Sequence, residues 1–190
     1  LFAAEAGRGP AVLLLHGFTG SAATWHALMR RLARAGLRAV AVDLPGHARS
    51  GIPAGAGPYG MAECARDLLA LADRLGLSRF GLLGYSLGGR IALHLALAQP
   101  GRVAALVLES CTPGIADPAA RAERRRQVEE RARLLERDGL EAFVRYWEAQ
   151  PLFASQARLP ARIRRRLRRQ RLGHRPEGLA WALRRLGTGG

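Results

Sequence analysis

The chain has 190 residues, 48% of them hydrophobic, and a formal net charge of +15. That length suits a single core. No apolar run is long enough to span a bilayer, and no charged start with an apolar stretch and a small-residue cleavage site marks secretion. Cys64 and Cys111 stand in unrelated contexts, without a Cys-x-x-Cys pair or a histidine at ligand spacing. They read as inert thiols of a reduced, cytoplasmic protein that calls for no metal. The start on Leu1 and the end at Gly187-Thr188-Gly189-Gly190, just after a helical pattern, read as those of a fragment.

Residues 11–15 (Ala-Val-Leu-Leu-Leu) form a short apolar run ending at His16-Gly17, as expected of a strand buried on both faces of a parallel sheet. Trp25, Leu28, Met29 and Leu32 then repeat at helical spacing, closed by Gly36. Residues 39–43 give a second buried strand, ending at Pro45-Gly46, and Leu68, Leu69, Leu71, Ala72 and Leu75 mark a second helix stopped by Gly76. Residues 80–83 give a third strand, an apolar helix runs from Leu87 to Ala98, and residues 103–108 give a fourth strand. Strand and helix alternate throughout, which implies parallel βαβ units.

From Asp117 to Leu186 the pattern is charged and helical, interrupted at Gly139, Pro151, Pro160 and Pro176. A helical insertion of this size beside a doubly wound sheet reads as a cap over the ends of the strands. The positive charge collects there: residues 121–190 hold 19 Arg against 8 acids, residues 1–120 only 11 against 7. All thirty basic residues are Arg, which suggests coding bias rather than selection for phosphate contacts, which Lys serves as well. In the densest stretch, Arg162 to Arg175, the apolar Leu159, Ile163 and Leu167 recur every four residues, giving an amphipathic helix with a solvated basic face. No aromatics interleave to stack bases, so no nucleic-acid partner is expected.

Gly84-Tyr85-Ser86-Leu87-Gly88 matches the Gly-x-Ser-x-Gly pattern, weak by itself. Its place between a buried strand and an apolar helix is the context of a nucleophile elbow, whose sharp turn presents the serine Oγ at the top of the sheet. The expected fold is therefore the α/β-hydrolase fold, a doubly wound, mostly parallel sheet with an inserted helical cap. The expected division is 1–116 for the N-terminal part of the core, 117–186 for the cap and 187–190 for the start of a return to the core. Ser86 is the candidate catalytic residue. The backbone N–H groups of Phe18, after the first strand, and of Leu87, at a helix N-terminus, are the candidate oxyanion donors. The imidazole of His16 is expected to shape the turn rather than to transfer protons. His26 falls on a surface helix, His47 in a turn, His94 on a buried helix as a satisfied core residue, and His174 in the cap, so none reads as a general base. This fold orders its triad as Ser, then Asp or Glu, then His, each after a further strand. Those strands are missing, so the fragment is expected to be inactive alone.

Taken together, Leu15-His16-Gly17-Phe18-Thr19-Gly20-Ser21, Asp43-Leu44-Pro45-Gly46-His47, Gly84-Tyr85-Ser86-Leu87-Gly88-Gly89-Arg90 and Glu109-Ser110 resemble one enzyme family, 2-succinyl-6-hydroxy-2,4-cyclohexadiene-1-carboxylate synthase of menaquinone biosynthesis. The helical segment is similar to that family's cap at Glu123-Arg124, Phe143-Val144, Trp147, Pro151-Leu152-Phe153, Gly178-Leu179-Ala180 and Gly187-Thr188-Gly189. Ala48 departs from it, standing where relatives commonly have Gly.

The resemblance implies a cofactor-free lyase that eliminates pyruvate from 2-succinyl-5-enolpyruvyl-6-hydroxy-3-cyclohexene-1-carboxylate, with Ser86 as the activated base. A small polycarboxylate of this kind needs forked cationic donors. Arg90 lies one turn after Ser86 on the same side of its helix. The match to the family adds Arg124 and Arg171 as substrate-binding residues, with Tyr85 and Trp147 as walls. Two rival readings stand beside this one: an esterase or carbon–carbon hydrolase working through an acyl-serine, and a non-catalytic Arg-rich binding module. Stable membrane insertion is not expected, and the sequence leaves oligomeric state open.

Overall fold

The computed structural model describes residues 1–54 and 58–189. Five strands, β1 (Phe2–Ala6), β2 (Ala11–Leu15), β3 (Arg38–Asp43), β4 (Phe80–Tyr85) and β5 (Val103–Glu109), form one sheet in the order β1-β3-β2-β4-β5. All neighbours pair in parallel except β1, which runs antiparallel to β3. The four strands expected from the sequence are β2 to β5. Strand β1 escapes sequence reading because Phe-Ala-Ala-Glu-Ala has neither an apolar run nor alternation. It is a strand through its pairing of Phe2 to Ala6 with Asp43 to Ala39.

The continuous apolar runs have a direct cause. Leu13 and Leu15 of β2, with Val40 and Val42 of β3, face α2 (Met61–Arg74) and α3 (Leu87–Ala98), where Leu68, Ile91 and Leu95 are fully buried. The residues between them, Leu14, Ala39 and Ala41, face α1 (His26–Arg34) on the other side, packing with Trp25 and Met29. Both faces of the strands are thus covered, as parallel sheets require. Along β5, by contrast, Leu106, Val107 and Leu108 are all exposed.

The chain crosses from β3 back over β2 to place β4 on β2's other side, so β2 and β4 are adjacent with Leu15 opposite Gly84. Their carboxyl ends meet where the direction of winding reverses, the position at which open α/β sheets bind ligands.

From Pro118 to Leu186 the described chain is helical: α4 (Pro118–Glu148), a 3-10 stretch (Pro151–Arg158), α5 (Ala161–Leu172) and α6 (Pro176–Leu186). Asp117 caps α4 by accepting from the N–H groups of Ala119 and Ala120. The breakers fall where the sequence puts them. Gly139 kinks α4 at φ 77°, Pro151 and Pro176 open helical segments, and Pro160 precedes α5. Leu159 lies before α5 rather than in it, while Ile163 and Leu167 are half-buried and most of the arginines around them are exposed.

This segment has its own apolar cluster, in which Ala132, Leu135 and Phe143 of α4 pack on Leu179 and Leu183 of α6. Phe18 packs against both this cluster and the main core. Further ties join residues 170–188 to the sheet. The Gln170 amide donates to Ser21 and Thr24, and His174 Nε2–H donates to the Thr19 carbonyl while its Nδ1 accepts from the Ala48 N–H. Gly178 touches the backbone at Gly46, where an added Cβ would stand 2.3 Å from the Gly46 carbonyl oxygen. Gly190, the last residue of the expected return segment, lies outside the described residues. Among the described residues no helix is long and apolar enough to cross a membrane.

Candidate active site

Ser86 stands between the end of β4 and the start of α3 with φ 52° and ψ −112°, a conformation L residues rarely hold. Its N–H donates to the Glu109 carbonyl at 2.9 Å, and its own carbonyl accepts the first helical bond from Arg90. Gly88 shows why the motif needs glycine: a Cβ there would lie 2.3 Å from the Leu15 carbonyl oxygen, inside β2. The helix can start this close to the sheet only because that side chain is absent.

The turn after β2 is held by His16, which is fully buried. Its Nε2 accepts from the Leu44 N–H at 3.0 Å and its Nδ1–H donates to the Gly17 carbonyl at 2.8 Å. Burial drives its pKa from 6.5 down to about 3, so the ring is neutral and both nitrogens are occupied. Asp43 fixes the neighbouring turns by accepting from the Ala22 N–H and from the Arg49 N–H and Nε. His47 packs edge-on between His16 and His174, with ring centroids 5.0 and 5.6 Å away. Burial, with the neighbouring His16 and His174, also lowers its pKa.

Ser86 opens into a cavity of about 260 Å³ that Phe18, Tyr85, Leu87, Arg90, Arg124 and Trp147 also line. Seven of the eight residues singled out from sequence therefore meet in one place. Among the described residues, neither the Phe18 N–H nor the Leu87 N–H has a hydrogen-bond partner.

The eighth, Arg171, is elsewhere, which corrects the expectation that it reaches this cavity. It is buried with its guanidinium on Glu148 at 2.8 Å and on the Gln156 side chain at 2.9 Å, 5.2 Å from the Phe153 ring. It borders a neighbouring cavity of about 470 Å³. A carboxylate 23 residues away captures it, which periodicity does not reveal. His94 also differs from expectation. It is half-buried and bonded to nothing among the described residues, because α3 buries Leu87, Ile91, Ala92 and Leu95 and His94 lies off that stripe.

Arg90 has lost much of its solvent, which lowers its pKa. It donates to the Leu186 carbonyl and the Thr188 hydroxyl, at 3.1 and 3.2 Å. Among the described residues no carboxylate pairs with Arg90 or Arg124 (the ion pairs of the helical segment involve other arginines). Arg131, Leu152 and Phe153 line the cavity as well. Sequence reasoning passed over Arg131, although it stands seven residues after Arg124 on one helix, a spacing that puts both on the same face.

A strained serine at a strand-to-helix elbow, at the switch point of a doubly wound sheet, marks the α/β-hydrolase fold. A model of that fold's family matches residues 10–185. MenH from S. aureus superposes with a TM-score of 0.91 at 33% identity, over 98% of this chain and 71% of that one. A Bacillus subtilis (strain 168) protein, provisionally given the synthase name that follows, is 44% identical over 190 residues, covering 98% of this chain and 69% of its own length. The 2-succinyl-6-hydroxy-2,4-cyclohexadiene-1-carboxylate synthase of Salmonella agona (strain SL483) is 36% identical over 147 residues, 77% of this chain and 56% of that one. The chain belongs to the 2-succinyl-6-hydroxy-2,4-cyclohexadiene-1-carboxylate synthase family.

Proposed function

We propose that the Ser86 site eliminates pyruvate from 2-succinyl-5-enolpyruvyl-6-hydroxy-3-cyclohexene-1-carboxylate, as a cytoplasmic lyase of menaquinone biosynthesis. The observation that carries this reading is the pair Arg90 and Arg124 facing the Ser86 cavity with no carboxylate beside them among the described residues. Unpaired, partly desolvated guanidinium groups are costly unless the ligand brings the anion. An apolar ester would leave them unpaired, whereas a substrate with several carboxylates satisfies them by forked hydrogen bonds.

In the proposed reaction Ser86 Oγ, relieved of its proton by an imidazole, removes a ring proton. The electron pair moves through the ring and breaks the carbon–oxygen bond to the enolpyruvyl group, which departs as pyruvate enolate and becomes pyruvate on taking a proton at carbon from the imidazolium or from solvent. The N–H groups of Phe18 and Leu87 hold the charge that develops on the enolate-like intermediate. Tyr85 and Trp147 wall the ring, and residues 117–186 act as the cap that excludes water. Among the described residues no imidazole bonds Ser86.

The test is Ser86→Ala in the full-length protein, with pyruvate release followed by a coupled reductase. The expected result is loss of turnover with substrate affinity largely kept, because Oγ is needed in the transition state rather than for binding. Turnover near wild type would demote Ser86 to a turn residue. A stable acyl-serine formed with aryl esters, without pyruvate release, would favour the hydrolase.

A further inference from the structure

Arg131 and Trp147 share a feature that a wall would not need. Each carries a buried hydrogen-bond donor without a partner, Nε of Arg131 and Nε1 of Trp147, and both residues line the Ser86 cavity. The other two such atoms among the described residues, on Trp25 and His47, belong to residues that do not border it. Native proteins leave few buried polar groups unsatisfied, so two orphan donors at one cavity call for an acceptor from outside the chain. A guanidinium and an indole N–H offer donors and no lone pair, so an oxyanion suits both.

The placement agrees. Arg131 stands two turns along α4 from Arg124 with Val128 between them, and all three line the cavity. Its guanidinium carbon lies 5.9 Å from the Trp147 ring centroid, so the aromatic face restricts where the charge can go. No carboxylate pairs with it among the described residues, whereas Arg133, two positions on, is exposed and bound to Glu129 at 2.9 Å.

We propose that Arg131, with the Trp147 N–H beside it, binds a carboxylate of the substrate, so that three guanidinium groups meet a tricarboxylate. The proposal rests on the reading of the site given above. The substrate of that reading carries three carboxylates, one each on the ring, the succinyl arm and the enolpyruvyl arm. Arg90 and Arg124 alone would leave one of them uncompensated in a cavity partly shielded from water. With Arg171 committed to Glu148, Arg131 is the cation placed to meet it.

The experiment compares Arg131→Gln, Arg131→Lys, Arg133→Gln and Arg90→Ala in the full-length protein. It reads kcat and KM for pyruvate release, and calorimetric affinity for the tricarboxylate with Ser86→Ala added to remove turnover. Arg131→Gln should lower kcat/KM and weaken binding about 30-fold or more, Arg131→Lys should recover little, and Arg133→Gln should stay within about twofold. Arg131→Gln within about threefold of wild type, with Arg90→Ala strongly impaired, would overturn the proposal and leave the functional reading intact. If Arg90→Ala were also unimpaired, or the unmodified protein released no pyruvate, both would fall. Should Arg131→Gln melt early, Arg131→Lys, which keeps the charge over Trp147, decides: wild-type affinity there overturns the proposal.

Discussion

Lowering the pH from 8 to 5 should remove about 2 kcal/mol of folding stability through His16 alone. Burial holds its pKa near 3 in the fold, against 6.5 when exposed. The fold therefore favours the neutral ring. This contribution is complete above about pH 6.5, falls as the unfolded chain takes up the proton, and is gone by about pH 3. At pH 5 the unfolded imidazole is almost fully protonated and the folded one almost fully neutral, a gap of about 1.5 pH units at roughly 1.4 kcal/mol each. His47 and His174 are shifted in the same direction, each mainly by burial, and should steepen the fall. Urea unfolding followed by tryptophan fluorescence at pH 8, 7, 6 and 5 measures the slope directly. A free energy at pH 5 within about 0.5 kcal/mol of that at pH 8 would mean that the folded protein accepts these protons. The bonds assigned to His16, from Leu44 and to Gly17, would then be wrong.

Arg90→Ala should reduce kcat/KM roughly 30-fold or more, since losing one partner of a buried charge pair costs about 2–5 kcal/mol, and Arg90→Lys should rescue poorly because an ammonium cannot make two parallel bonds. An effect no larger than that of replacing exposed Arg133 would refute the assignment. Arg171→Ala should lower the melting temperature by breaking its bonds to Glu148 and Gln156, while changing kcat/KM far less than Arg90→Ala does; the reverse ranking in steady-state kinetics would place Arg171 at the substrate. Ala48→Gly should stabilise the protein by about 0.5–1 kcal/mol, because Ala48 holds φ 43°. Relief of roughly 1–2 kcal/mol of left-handed strain there outweighs the added freedom of the unfolded chain. A lower urea midpoint would contradict that backbone conformation.

The sheet was legible where burial on both faces forces uninterrupted apolar runs, as in β2 and β3, and in β5 through an apolar run that stays exposed here. It was illegible in β1, whose Ala-rich stretch is extended only because β3 offers it an edge. The breaks of the helical segment were readable at single residues, since Gly139 and the three prolines act locally. The serine elbow was readable for the same reason: its close contacts need glycine at fixed offsets. Side-chain partnerships were not. With 19 arginines in the last 70 residues, nothing in their spacing shows that Glu148 takes Arg171 while Arg131 is left facing a cavity. Nor does it show that His174, 155 residues from Thr19, reaches back to that turn. Such choices depend on which charges the fold brings within reach, and pattern carries no information about that.

The ties between residues 170–188 and the sheet divide the helical segment for anyone wishing to re-engineer it. Gln170, His174 and Gly178 grip the turns at Ser21, Thr19 and Gly46, and Leu186 and Thr188 hold Arg90. Thr19 adjoins Phe18, so an insertion or deletion between Gln170 and Thr188 would displace the backbone N–H expected to face the reacting oxygen. Among the described residues the 3-10 stretch Pro151–Arg158 makes no hydrogen bond to the sheet or its turns, and its Leu152 borders the cavity while 77% exposed. Loop grafting or length variation for new ligands belongs in that stretch, where the aperture can be reshaped without moving the turn after β2.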